Sequence, residues 1–300
     1  ALAGAFTHRG SRLAEGLSLI FCLAGCGLGL AATLLILENQ GTATWQMAWP
    51  LLPGAALCFK IDPLAIVFIL PAFLVTAAGA LYGAGYWPAA TKPAGSACLR
   101  FFYPILSATI LLLLASDNAF LFLITWECMA LSGYFLIITE RQQEDAQRAG
   151  FIYFAATHTG TLALFGLFAL LIALAPGPHL PAAASLAAGW QASVIFLLAL
   201  FGFGLKAGLI PLHIWLPGAH ASAPSNVSAL MSGVMIKMGI YGIIRITSFF
   251  SGIPLWWGET VLAAGLISSL VGVVWAIAQH DIKRLLAYHS VENIGIILIG

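Results

Sequence analysis

The sequence predicts an all-α, polytopic membrane helix bundle, and three observations carry that reading. The residues Ala, Val, Ile, Leu, Met, Phe, Trp, Tyr and Cys fill 61% of the 300 positions, with 31 glycines besides; a soluble domain holds roughly 45–50% apolar residues with glycine already counted. Charged side chains are 8% of the chain, against a soluble norm of about 25%, and mean hydropathy is +0.99. The apolar residues also fall in runs of about 20, the length that crosses a bilayer core of about 30 Å.

In chain order nine candidate spans appear, at 17–37, 63–86, 101–116, 119–139, 147–174, 190–217, 226–249, 260–279 and 284–300, the last incomplete. The first carries Cys22 and Cys26 at i,i+4 in an apolar run, which reads as helix packing, and none of the five cysteines forms a CxxC pair. The connection 38–62 is the longest polar-tinged one and has room for a small hairpin outside the lipid. Trp49-Pro50, Pro53-Gly54, Pro88, Pro93 to Gly95, Pro176 to Pro178 and Gly252 to Pro254 punctuate the runs. The glycines within them suit close helix approach. The chain begins at Ala1 without a signal-peptide pattern and ends at Gly300 inside the apolar run from Ile294, and so reads as a piece of a longer protein.

Alternating the spans across the membrane puts Arg9, Arg12, Lys92, Arg100, Arg141, Arg148, Lys283 and Arg284 on one side. Only Lys60 and Arg245 fall at or near the other, so the first side is cytoplasmic by the positive-inside rule. On that basis 88–100, 140–148 and 280–284 face the cytoplasm, and 175–189 and 250–258 face the opposite side. The basic residues are too few and scattered to bind nucleic acid.

What remains are ionisable groups inside the spans. Glu127, His158, Lys206 and Lys237 lie within the runs, His213 and His220 flank the end of the span at 190–217, and His289 and Glu292 lie in the last run. A charge at the bilayer centre costs about 2.5–3.5 kcal/mol on insertion scales, so Glu127 and the two lysines need partners or water. A static ion pair between helices is one reading. The other is a proton path, because burial disfavours the charged form and a nearby opposite charge restores it. His158 alone fits a packing role as well as a relay. In 190–217, Gly202, Gly204 and Gly208 precede Pro211, and Pro217-Gly218 follows. Pro211 removes a backbone donor, so this helix should break near Lys206 to Pro211. Broken spans line cavities or ion sites, although a kink without function also fits.

Longer motifs then become legible. Gly204 to Pro224 reads GLKAGLIPLHIWLPGAHASAP, followed by SNVSALMSGVMIKMGIYGIIRI and DIKRLLAYHSVENIGIILIG, with WECMALSGYFLI around Glu127. These resemble the antiporter-like, proton-conducting membrane subunits shared by respiratory complex I, Mrp-type sodium/proton antiporters and energy-conserving hydrogenases. The variants SALMSGVMIKMGIYGI, PLWWGE and HSVENIGIIL are similar to the hydrogenase-4 component B and formate hydrogenlyase subunit 3 branch. The resemblance implies about fourteen helices, with two inverted repeats each holding a broken helix. Here 1–300 would be a single membrane domain, with 101–249 the first repeat and 260–300 the start of the second. It also implies that Glu127 pairs with Lys206 and that Lys237 passes the proton on. Gly218 stands where many members carry Asp, and Ser232 where some carry His.

The resemblance further implies an ion-translocating, non-redox subunit of a hydrogenase or formate hydrogenlyase-type complex in a bacterial or archaeal cell (inner) membrane. Electron transfer in other membrane subunits and in peripheral hydrogenase or dehydrogenase subunits would drive it. No cofactor or metal is expected in the chain itself. The alternatives are an Mrp-type sodium/proton antiporter or a complex I pumping subunit. A haem-binding subunit would need paired histidines at matching depth, and only His158 is clearly mid-span. A scaffold without transport would leave the mid-membrane Glu and Lys residues unexplained.

Overall fold

The computed structural model describes residues 12–39, 41–49, 56–88, 90–140 and 143–300. Arg9, Arg141, Pro50 and Pro53 lie outside the described residues. The helices are α1 (Arg12–Glu38), α2 (Pro63–Tyr86), α3 (Pro93–Leu114), α4 (Ala119–Ile137), α5 (Glu144–Leu174), α6 (Trp190–Ala207), α7 (Trp215–Ser222), α8 (Ser225–Leu230), α9 (Lys237–Thr247), α10 (Leu255–Ile277) and α11 (Ile282–Ile299), with a π-helical turn at Met231–Met235 joining α8 to α9. Among the described residues, eight helices are long and apolar enough to cross a membrane, and α8, the π turn and α9 count as one of them. The last run forms α11 as expected. It stays outside that group because its 18 residues include Lys283, Arg284 and Glu292.

The chain divides into two compact units, one of residues 1–150 with 222–234 and one of 151–221 with 235–300. In the first, the 38–62 connection is a hairpin as expected: β1 (Ala43–Ala48) pairs antiparallel with β2 (Ala56–Ile61). Cross-strand partners Trp45 and Phe59 stack at 5.2 Å. The Lys60 N–H donates to Ala115 and the Asp117 N–H donates to Cys58, tying β2 to the α3–α4 connection. Helix starts follow their caps. Asp62 accepts from the Ala65 N–H ahead of Pro63, and Asn118 accepts from Phe120 and Leu121. Helix α3 begins at Pro93, eight residues before the apolar run at 101, because proline is pre-organised for the first helical turn. Arg100 is therefore not a loop cation. It lies inside α3 and is 8% exposed.

In the second unit, two-residue strands β3 (Leu186–Ala187) and β4 (Phe250–Ser251) pair in parallel. Helices α5 and α6 meet at Gly160 and Gly202, where a Cβ on either would come within 3.0 Å of the other's carbonyl oxygen. Gly239 of α9 lies against the Phe203 carbonyl of α6, so a side chain there has nowhere to go. These contacts bring the lysine-bearing helices α6 and α9 and the helix α5 to backbone distance.

Candidate functional site

The span 190–217 breaks where glycine and proline place the break. Helix α6 ends at Ala207, and Gly208 adopts the left-handed conformation with φ 78°. The Leu209 N–H donates to Gly204 and the Gly208 N–H to Leu205, which is the Schellman pattern. Residues 208–214 are irregular, and α7 resumes at Trp215 with Pro217 in its first turn. Freed backbone groups in a membrane need partners. Here Trp215 donates its indole N–H to the Leu205 carbonyl at 2.8 Å, and the Ile210 N–H donates to Ser268 Oγ of α10 at 3.1 Å. Pro211 and His213 lie in the irregular stretch. The His213 ring is 5.0 Å from that of Trp275. His220 is buried in the last turn of α7, whose end receives Lys283 Nζ on the Ala221 carbonyl at 3.4 Å.

Lys206 occupies the last turn of α6 and is 1% exposed. A cation there faces the negative end of the helix dipole. Its ammonium donates to the Tyr153 hydroxyl at 2.9 Å and lies 4.9 Å from the centre of the Tyr153 ring. Tyr153 is on α5, fully buried, with its ring edge-on to Trp215 at 5.1 Å. Its hydroxyl donates in turn to Met235 Sδ at 3.8 Å. Met235 closes the π turn, two residues before Lys237. One tyrosine therefore connects the lysine at the broken helix with the turn that precedes the second lysine.

The other candidate residues fall around this line. Lys237 is half-buried at the start of α9. His158 lies on α5, five residues beyond Tyr153, with Nδ1 3.0 Å from the Phe154 carbonyl of its own helix. Glu127 is on α4 and half-buried; it belongs to the first unit, whereas Lys206, Tyr153, His158 and Lys237 belong to the second. Tyr153, Trp215, Ser268 and the π turn were not singled out in the sequence. A single tyrosine or tryptophan in an apolar run reads as packing. MSGVM contains no proline to announce a wide turn.

The transmembrane model of the NADH:quinone oxidoreductase/Mrp antiporter family matches residues 116–300, more than half of the chain. The chain belongs to that family. Hydrogenase-4 component B of Escherichia coli (strain K12) is 42% identical over 100% of this chain and 45% of its own length. Formate hydrogenlyase subunit 3 of the same strain is 37% identical over 65% of this chain and 31% of its own. A chain in the Mrp complex from Dietzia sp. DQ12-45-1b superposes with a TM-score of 0.78 at 26% identity, covering 95% of this chain and 54% of its own. The chain thus spans less than half the length of the two curated relatives. This member of the family is a multi-pass cell-membrane protein, and its relatives are named as a hydrogenase component, a formate hydrogenlyase subunit and part of an Mrp complex.

Proposed function

We propose that this chain is part of a proton-translocating membrane subunit of a hydrogenase or formate hydrogenlyase-type complex. Electron transfer in peripheral partner subunits drives it, and it carries no redox centre of its own. The observation that supports this reading best is Lys206, a fully buried cation at the end of an interrupted span, whose ammonium donates to the Tyr153 hydroxyl. Such a group is expensive to bury without a task. In this proposal Glu127 and Lys206 form a switchable pair, Lys237 receives the proton next, and His158 relays on α5. The region 101–249 is the first inverted repeat and 260–300 the start of the second. The likeness to the Mrp complex favours one alternative, sodium/proton exchange.

The test is proton pumping and complex assembly in inverted membrane vesicles carrying Glu127→Gln, Lys206→Ala or both. A switch predicts assembled complexes that turn over electrons but pump little, with the double variant no worse than either single one. A static pair predicts loss of assembly instead, because breaking a buried pair costs roughly 3–5 kcal/mol. Independent, additive losses would reject the pairing, and a sodium requirement for the pH change would select the exchange reading.

A further inference from the structure

Arg100 is a cation whose place in the fold the pumping reading does not use. It sits two turns into α3, and its Nη1 donates to Ser96 Oγ one turn back at 3.4 Å. Its Nε and Nη2 are buried and have no hydrogen-bond partner. Asn226, in the first turn of α8, is 6% exposed, and its Oδ1 is likewise buried without a partner. Buried polar groups are almost always paired, so two such orphans in one place need an explanation. Both line one cavity of the first unit, of about 80 Å³, or about 540 Å³ with its open mouth, together with Glu15 of α1 and Tyr103 of α3. The cavity admits the Asn226 amide because position 83 is glycine; a Cβ there would lie 2.6 Å from Asn226 Nδ2.

The level of the cavity is marked by its neighbours. Trp87, at the end of α2, lines it. Lys92 ammonium lies 4.5 Å from the Trp87 ring centre and 5.0 Å from that of Tyr86. Aromatic rings with a lysine at helix ends belong at the headgroup layer. The unmet groups are of opposite kind. The guanidinium offers two N–H donors in the fork that matches two phosphate oxygens. Asn226 Oδ1 is an acceptor, and Glu15 adds a carboxylate to the same wall. A ligand that meets the Arg100 and Asn226 groups beside that carboxylate carries a phosphate with a cationic donor two carbons away.

We propose that this cavity binds the headgroup of a phospholipid bearing a primary ammonium, a phosphatidylethanolamine. The phosphate bridges Arg100 Nε and Nη2, and the ammonium lies between Glu15 and Asn226 Oδ1. A choline headgroup has no N–H for Asn226. A glycerol headgroup leaves the phosphate beside Glu15 with no cation between them.

The experiment is native mass spectrometry of the purified full chain in detergent, titrated with phosphatidylethanolamine, phosphatidylglycerol and phosphatidylcholine of matched acyl chains. The expected result is one phosphatidylethanolamine retained at least about tenfold more tightly than either other lipid. Arg100→Gln abolishes that retention. Glu15→Gln, at a half-buried position that does not threaten folding, removes most of the preference over phosphatidylglycerol. Equal retention of the three lipids, or a preference untouched by Glu15→Gln, overturns the proposal and leaves the cavity to water. Displacement of the lipid by free phosphoethanolamine at equal concentration overturns it too, because the site then takes a soluble ion.

Discussion

Two helix interruptions each place a lysine, and they are built differently. At α6–α7 the helix truly ends: a left-handed glycine, a Schellman pair of hydrogen bonds, an irregular stretch and a new start at Trp215. The lysine sits before the gap, and side chains from elsewhere, Trp215 and Ser268, occupy freed backbone groups. At α8–α9 the helix never ends; it widens through a π turn and continues, so its backbone is satisfied internally and the lysine follows on the resumed helix. A true break exposes carbonyls that favour a fixed cation at its end. A π turn exposes little and instead shifts the face on which the next residues point. The first arrangement therefore suits a held charge, and the second a charge that is handed on.

The largest expected effect sharpens that contrast at the π turn. Lys237→Ala leaves the chain inserted but lowers coupled proton transport by roughly a hundredfold, the lower bound for a positioned proton-transfer group. Pumping assays with membrane quantification check it, and unchanged pumping at normal electron turnover removes Lys237 from the path. At the break the corresponding effect is on stability. Trp215→Ala costs about 3–5 kcal/mol through its cavity, and it also takes the donor from Leu205. Thermal unfolding in detergent reads this, and a change below about 1 kcal/mol would mean that the break holds itself.

A smaller difference separates the two glycines of these regions. Gly208 has φ 78°, so Gly208→Ala costs about 1–2 kcal/mol for the left-handed backbone alone. Gly233 lies within the π turn without a positive φ, and its added Cβ would meet only Val75 at 3.3 Å. Gly233→Ala is thus expected to cost less than Gly208→Ala. Equal costs would mean that the π turn is as strained as the break.

The same contrast explains what was legible beforehand. Gly208 and Pro211 announce a break because each carries a backbone property visible in its letter, and Glu127, Lys206 and Lys237 stand out because charge is rare in an apolar run. The π turn has no such letter. It follows from how α8 and α9 pack, and Met, Ser, Gly and Val all fit an ordinary helix. Tyr153 was hidden for a related reason: its hydroxyl matters only because folding puts it 2.9 Å from Lys206, and no spacing along α5 encodes a neighbour on α6. Arg100 was misplaced because the apolar run starts after it, whereas the helix starts at Pro93.

The smallest expected effect decides whether the two interruptions act as one device. The Tyr153 hydroxyl accepts from Lys206 and donates to Met235, so its proton is directed along the line from break to π turn. Met235→Leu keeps the volume and removes the sulfur acceptor. A volume-conserving swap of this kind costs less than about 1.5 kcal/mol, and a hydroxyl–sulfur contact is weak, so folding should hardly change. The Tyr153 proton then loses its acceptor on the π turn and is free to turn elsewhere, while the hydroxyl oxygen still accepts from Lys206. If the hydroxyl relays the state of Lys206 to the turn before Lys237, Met235→Leu slows pumping at unchanged stability. Tyr153→Phe, which keeps the ring but removes both bonds, slows it further. If pumping is normal in Met235→Leu and reduced only in Tyr153→Phe, the tyrosine serves Lys206 alone and the two interruptions work independently.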